Sequence, residues 1–457
     1  MFVNRREELV SLDEWWTGPA LMAVVWGRRR VGKTALLQHF AAGRDAIFHT
    51  GAGRPASGEL AQLSRQVHHA VPHQFRDLTA RPYIDWDDAL DGLAQLAAVQ
   101  PLLVVLDEFP ELVTTSPELP GVLRAFLDKA AGHTRLRLLL CGSAVRHMEA
   151  LQEHRAPLYG RFGLSLQVHP FRPDEAALML PRLPAADRAL VYGLLGGVPL
   201  YLSWWNQDTD VRSNLLRLCC RPAAPLLTEG QLVLATETER GEYPSAALHA
   251  IASGRSKHSE IKEALRAEPV RTLDRLVALR LVERVAPVTD TGRSRRTRYR
   301  VADNFLAFWL QVLTRFRAEI ERGLGETILP VLAESLPDFL GPRWEDMFRM
   351  HLRLLARRGE LGEGIVGIGP WWSTDSRVEI DAVALAGRSR RPVLAGEAKW
   401  ASRLDGGRVV RTLHAKAAAL PGASPEGMQL VLCAREVVDN APSDLLVVTA
   451  DDILPLP

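Results

Sequence analysis

Lysine is scarce in this chain. Of its 56 Lys and Arg residues, only six are lysine and fifty are arginine. Such a skew reflects genome composition more than function. It also makes a lysine at a motif position far more informative than an arginine there. No apolar run approaches ~18 residues, which argues against a membrane-spanning helix. The opening stretch, MFVNRREELVSLDEWW, is charged early and has no apolar core of signal-peptide type. Only four cysteines occur, Cys141, Cys219, Cys220 and Cys433, with no metal-ligand spacing between them. Two of them are adjacent and cannot easily bridge each other. The expectation is a reduced, cytoplasmic protein without structural disulfides and without a membrane partner. Net charge is only +2, so global charge does not imply a polyanion partner. Internal repeats and low-complexity tracts are also missing.

What is present starts with length. At 457 residues the chain exceeds one compact core and suggests about three domains. Residues 21–26 (LMAVVW) read as a buried strand, followed by a glycine-rich turn and an amphipathic helix carrying Leu36, Leu37 and Phe40. The turn, GRRRVGKT, fits G-x-x-x-x-G-K-[S/T]. A shuffled chain of this composition would hold about 0.003 such matches, so chance is a poor explanation. Gly27 and Gly32 allow the tight loop of Arg28, Arg29, Arg30 and Val31, whose N–H groups can face phosphates ahead of Ala35. Lys33 supplies a charge to the β- and γ-phosphates, and Thr34 a hydroxyl to Mg²⁺. ATP and Mg²⁺ are therefore the expected ligands.

A second apolar run ends in LLVVLDEFPEL. Asp107 suits water-mediated Mg²⁺ binding there, and Glu108 suits a general base for the attacking water. A third run, LRLLLCGSAVRHME, places Ser143 just past a strand. Ser143 reads equally well as a sensor of the γ-phosphate and as a helix N-cap. Strands alternating with helices suggest a parallel sheet covered on both faces.

Taken in order, FVNRREEL, GRRRVGKT, LDEFPEL, CGSAVRHM, PLYGRF and GGVPLYL resemble the archaeal-type ATPases of the signal-transducing (STAND) branch of AAA-like P-loop proteins. The resemblance implies that Phe2, Val3 and Arg5 lie near the adenine and that Pro199 also reaches the nucleotide. It offers Arg161 as a charge sensor or arginine finger, against the alternative of an ordinary surface arginine. Asn4 stands where related boxes often carry glycine, so the turn there is expected to differ.

Residues 236–302 suggest a winged helix, with an arginine-rich hairpin from Asp290 to Arg300. Arg293, Arg295, Arg296, Arg298 and Arg300 would then present a charged stripe to DNA phosphates. A solvated wing, or one paired with an acidic neighbour, fits equally well. A break at Leu340-Gly341-Pro342 is expected to open a C-terminal domain.

In that domain Asp381 is read as ending one strand, and Glu397 and Lys399 alternate on the next. Glu345 on the preceding helix offers a further carboxylate. About 0.7 acid-x-Lys matches are expected by chance, so the motif counts only through its context. Glu260 and Lys262 form another such match and read as a solvated helix face. With Trp371, Trp372, Glu379 and GEAKW, the region resembles a domain of unknown function similar to the PD-(D/E)XK nuclease superfamily. Ile380 replaces the usual proline there. The resemblance implies Mg²⁺ on Asp381, Glu397 and Glu345, with Lys399 near the attacking water. The alternative is a retained fold whose polar groups merely pair with one another.

The expected fold class is α/β: a P-loop NTPase parallel-sheet domain (1–170), a helical subdomain (171–235), a winged helix (236–302), a helical connector (303–340) and an α/β restriction-endonuclease-like domain (341–457). The expected function is an ATP-hydrolysing switch coupled to a nuclease-like domain acting on nucleic acid. The alternative is a signalling or regulatory ATPase that binds DNA, a protein partner or a second copy of itself without cleavage.

Overall fold

The computed structural model describes residues 2–71, 76–98, 100–130, 132–237, 242–292, 294–424 and 427–456. The chain divides into two compact units, Met1–Pro170 and Phe171–Pro457.

The first unit is built on a parallel sheet of β1 (Met22–Trp26), β2 (Ala46–Thr50), β3 (Leu102–Asp107), β4 (Leu136–Gly142) and β5 (Leu164–Gln167). Their order is β2-β3-β4-β1-β5. Alternate side chains of each strand feed two separate cores. Met22, Val24, Val104, Leu106, Leu138 and Leu140 pack with Leu60, Leu63 and Leu123 on one face. Ala23, Val25, Leu103, Val105, Leu139 and Cys141 pack with Leu36, Leu37 and Phe40 on the other. Helices cover both faces, so the central strands carry unbroken apolar runs. The order sets β4 between β1 and β3. The glycine loop after β1 and the acids after β3 thus flank one strand end, which carries Ser143.

The second unit begins with helices Pro173–Ala177, Ala185–Leu195, Pro199–Ser203, Val211–Leu218 and Pro225–Glu237. Helices Glu242–Ala252, His258–Leu265 and Val270–Ala278 follow. An antiparallel pair then forms from β6 (Val282–Val285) and β7 (Arg298–Val301). The paired strands are shorter than the expected Asp290–Arg300 hairpin. Arg295 and Arg296 lie in the connecting segment, outside the strands, and Arg298 and Arg300 on β7.

Helix Gly325–Arg357 runs for 33 residues through Pro330, Pro337 and Pro342. The expected break at Leu340-Gly341-Pro342 is absent. An interior proline costs a helix ~3 kcal/mol. Leu336, Phe339, Leu340, Trp344, Met347 and Phe348 are all buried on this helix. At ~1.5–3 kcal/mol each, their burial is enough to offset the prolines.

The helix packs on a second sheet, ordered β14-β12-β10-β9-β8. Its strands are β8 (Ile365–Trp372), β9 (Glu379–Ala386), β10 (Arg391–Ala398), β12 (Gln429–Cys433) and β14 (Leu446–Val448). A small pair, β11 (Arg403–Asp405) with β13 (Val437–Asp439), stands apart. Helix Gly406–Ala417 packs across β9, β10 and β12. All four cysteines are buried and unbridged. Among the described residues, no helix is long and apolar enough to cross a membrane.

Candidate functional site

The loop after β1 is set by sterics. A Cβ on Gly27 would sit 2.3 Å from the carbonyl oxygen of Val168, so the backbone approach there admits only glycine. Arg30 and Gly32 adopt left-handed conformations (φ 69° and 89°), and Gly32 caps the helix Lys33–Ala41. Arg28 and Arg30 are half-buried, while Arg29, Thr34 and Ala35 are exposed. The Lys33 ammonium folds back over the loop, donating to the carbonyls of Gly27 and Arg28 at 2.9 Å each. Its side chain is buried, so the charge is held at the loop mouth.

Thr34 Oγ1 donates to Asp107 Oδ2 at 3.0 Å, joining loop to acidic strand end. Glu108 takes a left-handed backbone (φ 48°, ψ 47°), a conformation costing a non-glycine residue ~1–2 kcal/mol. That turn aims its carboxylate toward β4. The Ser143 hydroxyl lies 3.1 and 2.9 Å from the two Glu108 oxygens and shares its one proton between them. Ser143 does not cap the following helix, whose N-cap is Ala144. Thus Lys33, Thr34, Asp107, Glu108 and Ser143 form one connected set. A hydroxyl and a carboxylate in contact are hard oxygen donors, the ligand type that suits Mg²⁺.

The N-terminal box reaches this loop directly. Arg5 is buried, donates to the Val31 carbonyl at 2.7 Å and pairs with Glu8 at 2.8 Å. Phe2 stacks on His39 of the loop's helix, with ring centres 4.1 Å apart. Val3 is half-buried beside them. Asn4 accommodates the turn with φ 55°, since asparagine tolerates the left-handed region that glycine would otherwise supply. Arg161 pairs instead with Asp128 at 2.6 Å and is about two-fifths exposed. Pro199 opens the helix Pro199–Ser203 and belongs to the second unit.

The second unit gathers a different set. Asp381 is the third residue of β9 and so opens that strand instead of ending one. The polar residues 373–376 form the turn before it, with Ser376 at φ 55°, and the apolar run follows the acid. Gly396 pairs with Ala382, which sets Glu397 beside Asp381. Asp381 Oδ2 accepts from the Ala398 amide at 2.8 Å. Lys399 donates to Glu397 Oε1 at 2.7 Å and lies 3.9 Å from Asp381. Burial lowers the Lys399 affinity for its proton, but Glu397 and Asp381 outweigh it and raise the pKa. Burial pushes the Asp381 carboxyl up, helped by Glu397. Burial, with Asp381 nearby, pushes Glu345 up to about 7.

Three contributors here carried no sequence motif. Lys416 donates to both oxygens of Glu397, at 2.8 and 2.9 Å. Arg349 donates to the Asp381 carbonyl and pairs with Asp346. Asp346 in turn binds Arg300. Burial pushes the Asp346 carboxyl up, yet Arg300, Arg349 and Arg343 outweigh it and hold it below the usual range. For Lys416, lysine scarcity was the one available signal. Among the described residues, no three His, Cys, Asp or Glu side chains converge as a ready-made metal cage. Magnesium is commonly held by one or two carboxylates plus water and phosphate, so Asp381 and Glu397 still fit that ion.

The wing arginines are largely engaged within the chain. Arg296 binds Asp290 and the Trp372 carbonyl. Arg298 pairs with Glu379 at 2.8 Å and lies 4.3 Å over the Trp372 ring. Arg300 binds Glu283 and Asp346. Arg295 is exposed, and Arg293 lies outside the described residues. The expected stripe along one hairpin face is therefore replaced by ion pairs, because β9 and the long helix supply carboxylates at that edge.

The parallel sheet, the glycine loop and the acidic strand end define a P-loop ATPase domain. Residues 2–204 match the family described as an ATPase domain predominantly from Archaea. Residues 309–411 match a family of archaeal and bacterial proteins of unknown function. Over 416 residues the chain is 25% identical to an uncharacterized protein of Methanocaldococcus jannaschii, covering 89% of each. An uncharacterized ATP-binding protein of the same organism is 51% identical over 41 residues, 9% of this chain and 70% of the relative. Among solved structures, a Walker-type ATPase of Pyrococcus abyssi aligns with a TM-score of 0.55 at 21% identity, covering 68% of this chain and 96% of that one. At that identity the likeness speaks for the fold alone.

Proposed function

We propose that the first unit binds and hydrolyses Mg-ATP, and that this switch governs a C-terminal domain cleaving phosphodiester bonds in nucleic acid. The connected set Thr34, Asp107, Glu108 and Ser143 carries the ATPase half of this reading. Lys33 holds the β- and γ-phosphates, releasing the Gly27 and Arg28 carbonyls as it does so. Thr34 and Asp107 would hold Mg²⁺, which supplies charge neutralisation to the phosphates. Glu108 accepts the proton of the attacking water, and the Ser143 hydroxyl fixes its orientation. Phe2, Val3 and Arg5 line the adenine end. Arg161, paired with Asp128, is a charge sensor or arginine finger in its own site or a neighbouring copy's, and Pro199 is assigned to the nucleotide from the helical subdomain.

In the second unit, helices Glu242–Ala252, His258–Leu265 and Val270–Ala278 with β6 and β7 are read as a winged helix, and the sheet β14-β12-β10-β9-β8 with the later half of helix Gly325–Arg357 as a nuclease-like domain. Asp381 and Glu397 would hold Mg²⁺, with water and phosphate as its other ligands, and Glu345 would reach it through a bound water. Lys399 would lie beside the attacking water. Exposed Arg295, with Arg293, remains the wing's contribution to nucleic-acid binding.

A regulatory ATPase that binds DNA or a protein without cutting it is the second reading. It is favoured by the internal pairing of Arg296, Arg298 and Arg300. Plasmid incubated with Mg²⁺ and ATP separates the two. Cleavage by wild type that is lost in Lys399→Ala supports the nuclease. No cleavage by either protein, across varied DNA and metals, rejects it. Lys33→Ala should abolish binding of labelled ATP; unchanged affinity would refute the phosphate site.

A further inference from the structure

We propose that Lys416 is a second phosphate-binding lysine of the C-terminal acid site, contacting a backbone oxygen of a bound nucleic-acid strand alongside Lys399. The assignment rests on the reading of that site as one for nucleic acid.

Three observations carry it. The first is redundancy. Glu397 is buried and already accepts from Lys399 at 2.7 Å. Lys416 adds a second ammonium at 2.8 and 2.9 Å, so two cations share this carboxylate, as Arg300 and Arg349 share Asp346. The second is residue choice. Two other acids of this unit are served by arginine: Asp346 by Arg300 and Arg349, Asp290 by Arg296. Fifty arginines and six lysines make arginine the default cation of this chain. Two of the six lysines nevertheless meet on one carboxylate. A lysine ammonium is a compact charge on a flexible stem, able to turn toward an incoming anion as a rigid guanidinium fork is not.

The third is geometry. An ammonium has three donors, of which the two Glu397 oxygens take two. The Lys416 side chain is about one-quarter exposed and Lys399 nearly half, so both heads meet solvent above a buried acid. Lys416 also lies in the last turn of helix Gly406–Ala417, where a cation favours the helix dipole. That interaction is satisfied without any carboxylate and does not explain the reach to Glu397.

The test uses the full chain and fluorescent oligonucleotides, single-stranded and duplex, in chelator without divalent metal. Affinity is read by anisotropy across a salt series. Lys416→Ala should weaken binding about fivefold to tenfold. It should also lower the salt slope by roughly 0.7 for the single strand or 0.9 for the duplex. Lys416→Arg, which keeps the charge, should retain the slope. If Lys416→Ala does not fold, Lys416→Met keeps the aliphatic stem and serves in its place. Wild-type binding that Lys399→Ala weakens, with Lys416→Ala matching wild type in affinity and slope, would overturn this assignment alone. Wild type that binds neither oligonucleotide would overturn the nucleic-acid reading and the assignment together.

Discussion

Glu108→Gln changes one atom in the connected set and predicts a specific dissociation of binding from chemistry. Glutamine keeps the size of the side chain and leaves an amide oxygen to accept from the Ser143 hydroxyl. Thr34 and Asp107 keep their 3.0 Å contact, and Lys33 is untouched. Nucleotide affinity should therefore stay within about twofold. A positioned general base contributes ~10²–10⁴-fold, or about 2.7–5.5 kcal/mol of barrier. Single-turnover phosphate release should fall by that factor. Ser143 gives a second handle. Its one proton is shared between the two Glu108 oxygens, and a hydrogen bond to a charged group is worth ~1.5–3 kcal/mol, so Ser143→Ala alone should slow release by roughly 10–100-fold. If Ser143 acts by orienting Glu108, adding Ser143→Ala to Glu108→Gln should cost nothing further. Retention of release within tenfold of wild type by Glu108→Gln would place the base elsewhere. A further tenfold loss in the double variant would show that Ser143 acts independently.

Gly27→Ala drives a Cβ to 2.3 Å from the Val168 carbonyl, a backbone atom that cannot rotate away. It should destabilise the first unit by ~1–3 kcal/mol and weaken nucleotide binding; an unchanged denaturation midpoint would contradict the packing argument. Asp346→Ala strips two guanidiniums, Arg300 and Arg349, of a shared buried anion and should cost ~3–5 kcal/mol in chemical denaturation, with less than 1 kcal/mol counting against the network. His49 is fully buried, and burial lowers its pKa from the usual 6.5. The unfolded chain then binds a proton that the folded one resists, so stability should fall as pH drops below about 6.5, by at most ~1.4 kcal/mol per pH unit. His49→Gln should flatten that dependence relative to wild type in urea melts at pH 7.5 and 5.5, and parallel curves would refute it.

The nucleotide loop was legible because its parts are local. Gly27 to Thr34 span one turn between a strand and a helix, and Asp107 and Glu108 end an apolar run that announces itself. The alternation of strands and helices implies the parallel sheet, but the order β2-β3-β4-β1-β5 that brings Ser143 to Glu108 comes from the fold. Contacts made across distance left no such trace. Arg5 meets the Val31 carbonyl across 26 positions, and Arg300 meets Asp346 across 46. The sequence offers Arg5 for the adenine end and Arg300 for the wing, but nothing in the local pattern points to the partner that either one meets. Asp381 was placed at the wrong end of its strand because a turn of serines and threonine, not an apolar run, precedes it. The helix Gly325–Arg357 runs through its prolines because proline propensity is local, while the burial of Phe339, Trp344 and Phe348 is not.

That helix has a mechanical consequence. Proline lacks an amide, so Pro330, Pro337 and Pro342 leave the carbonyls of Glu326, Ala333 and Asp338 without their usual rungs. Two of these gaps fall between Ala333 and Pro342, midway along the rod. The half beyond them carries Asp346 and Arg349, and so grips both the wing and the strand of Asp381. The rod is most compliant where its ladder is thinnest, and a bend there leaves each end's packing intact. In amide exchange the helix should divide at this point, into two segments protected to different degrees.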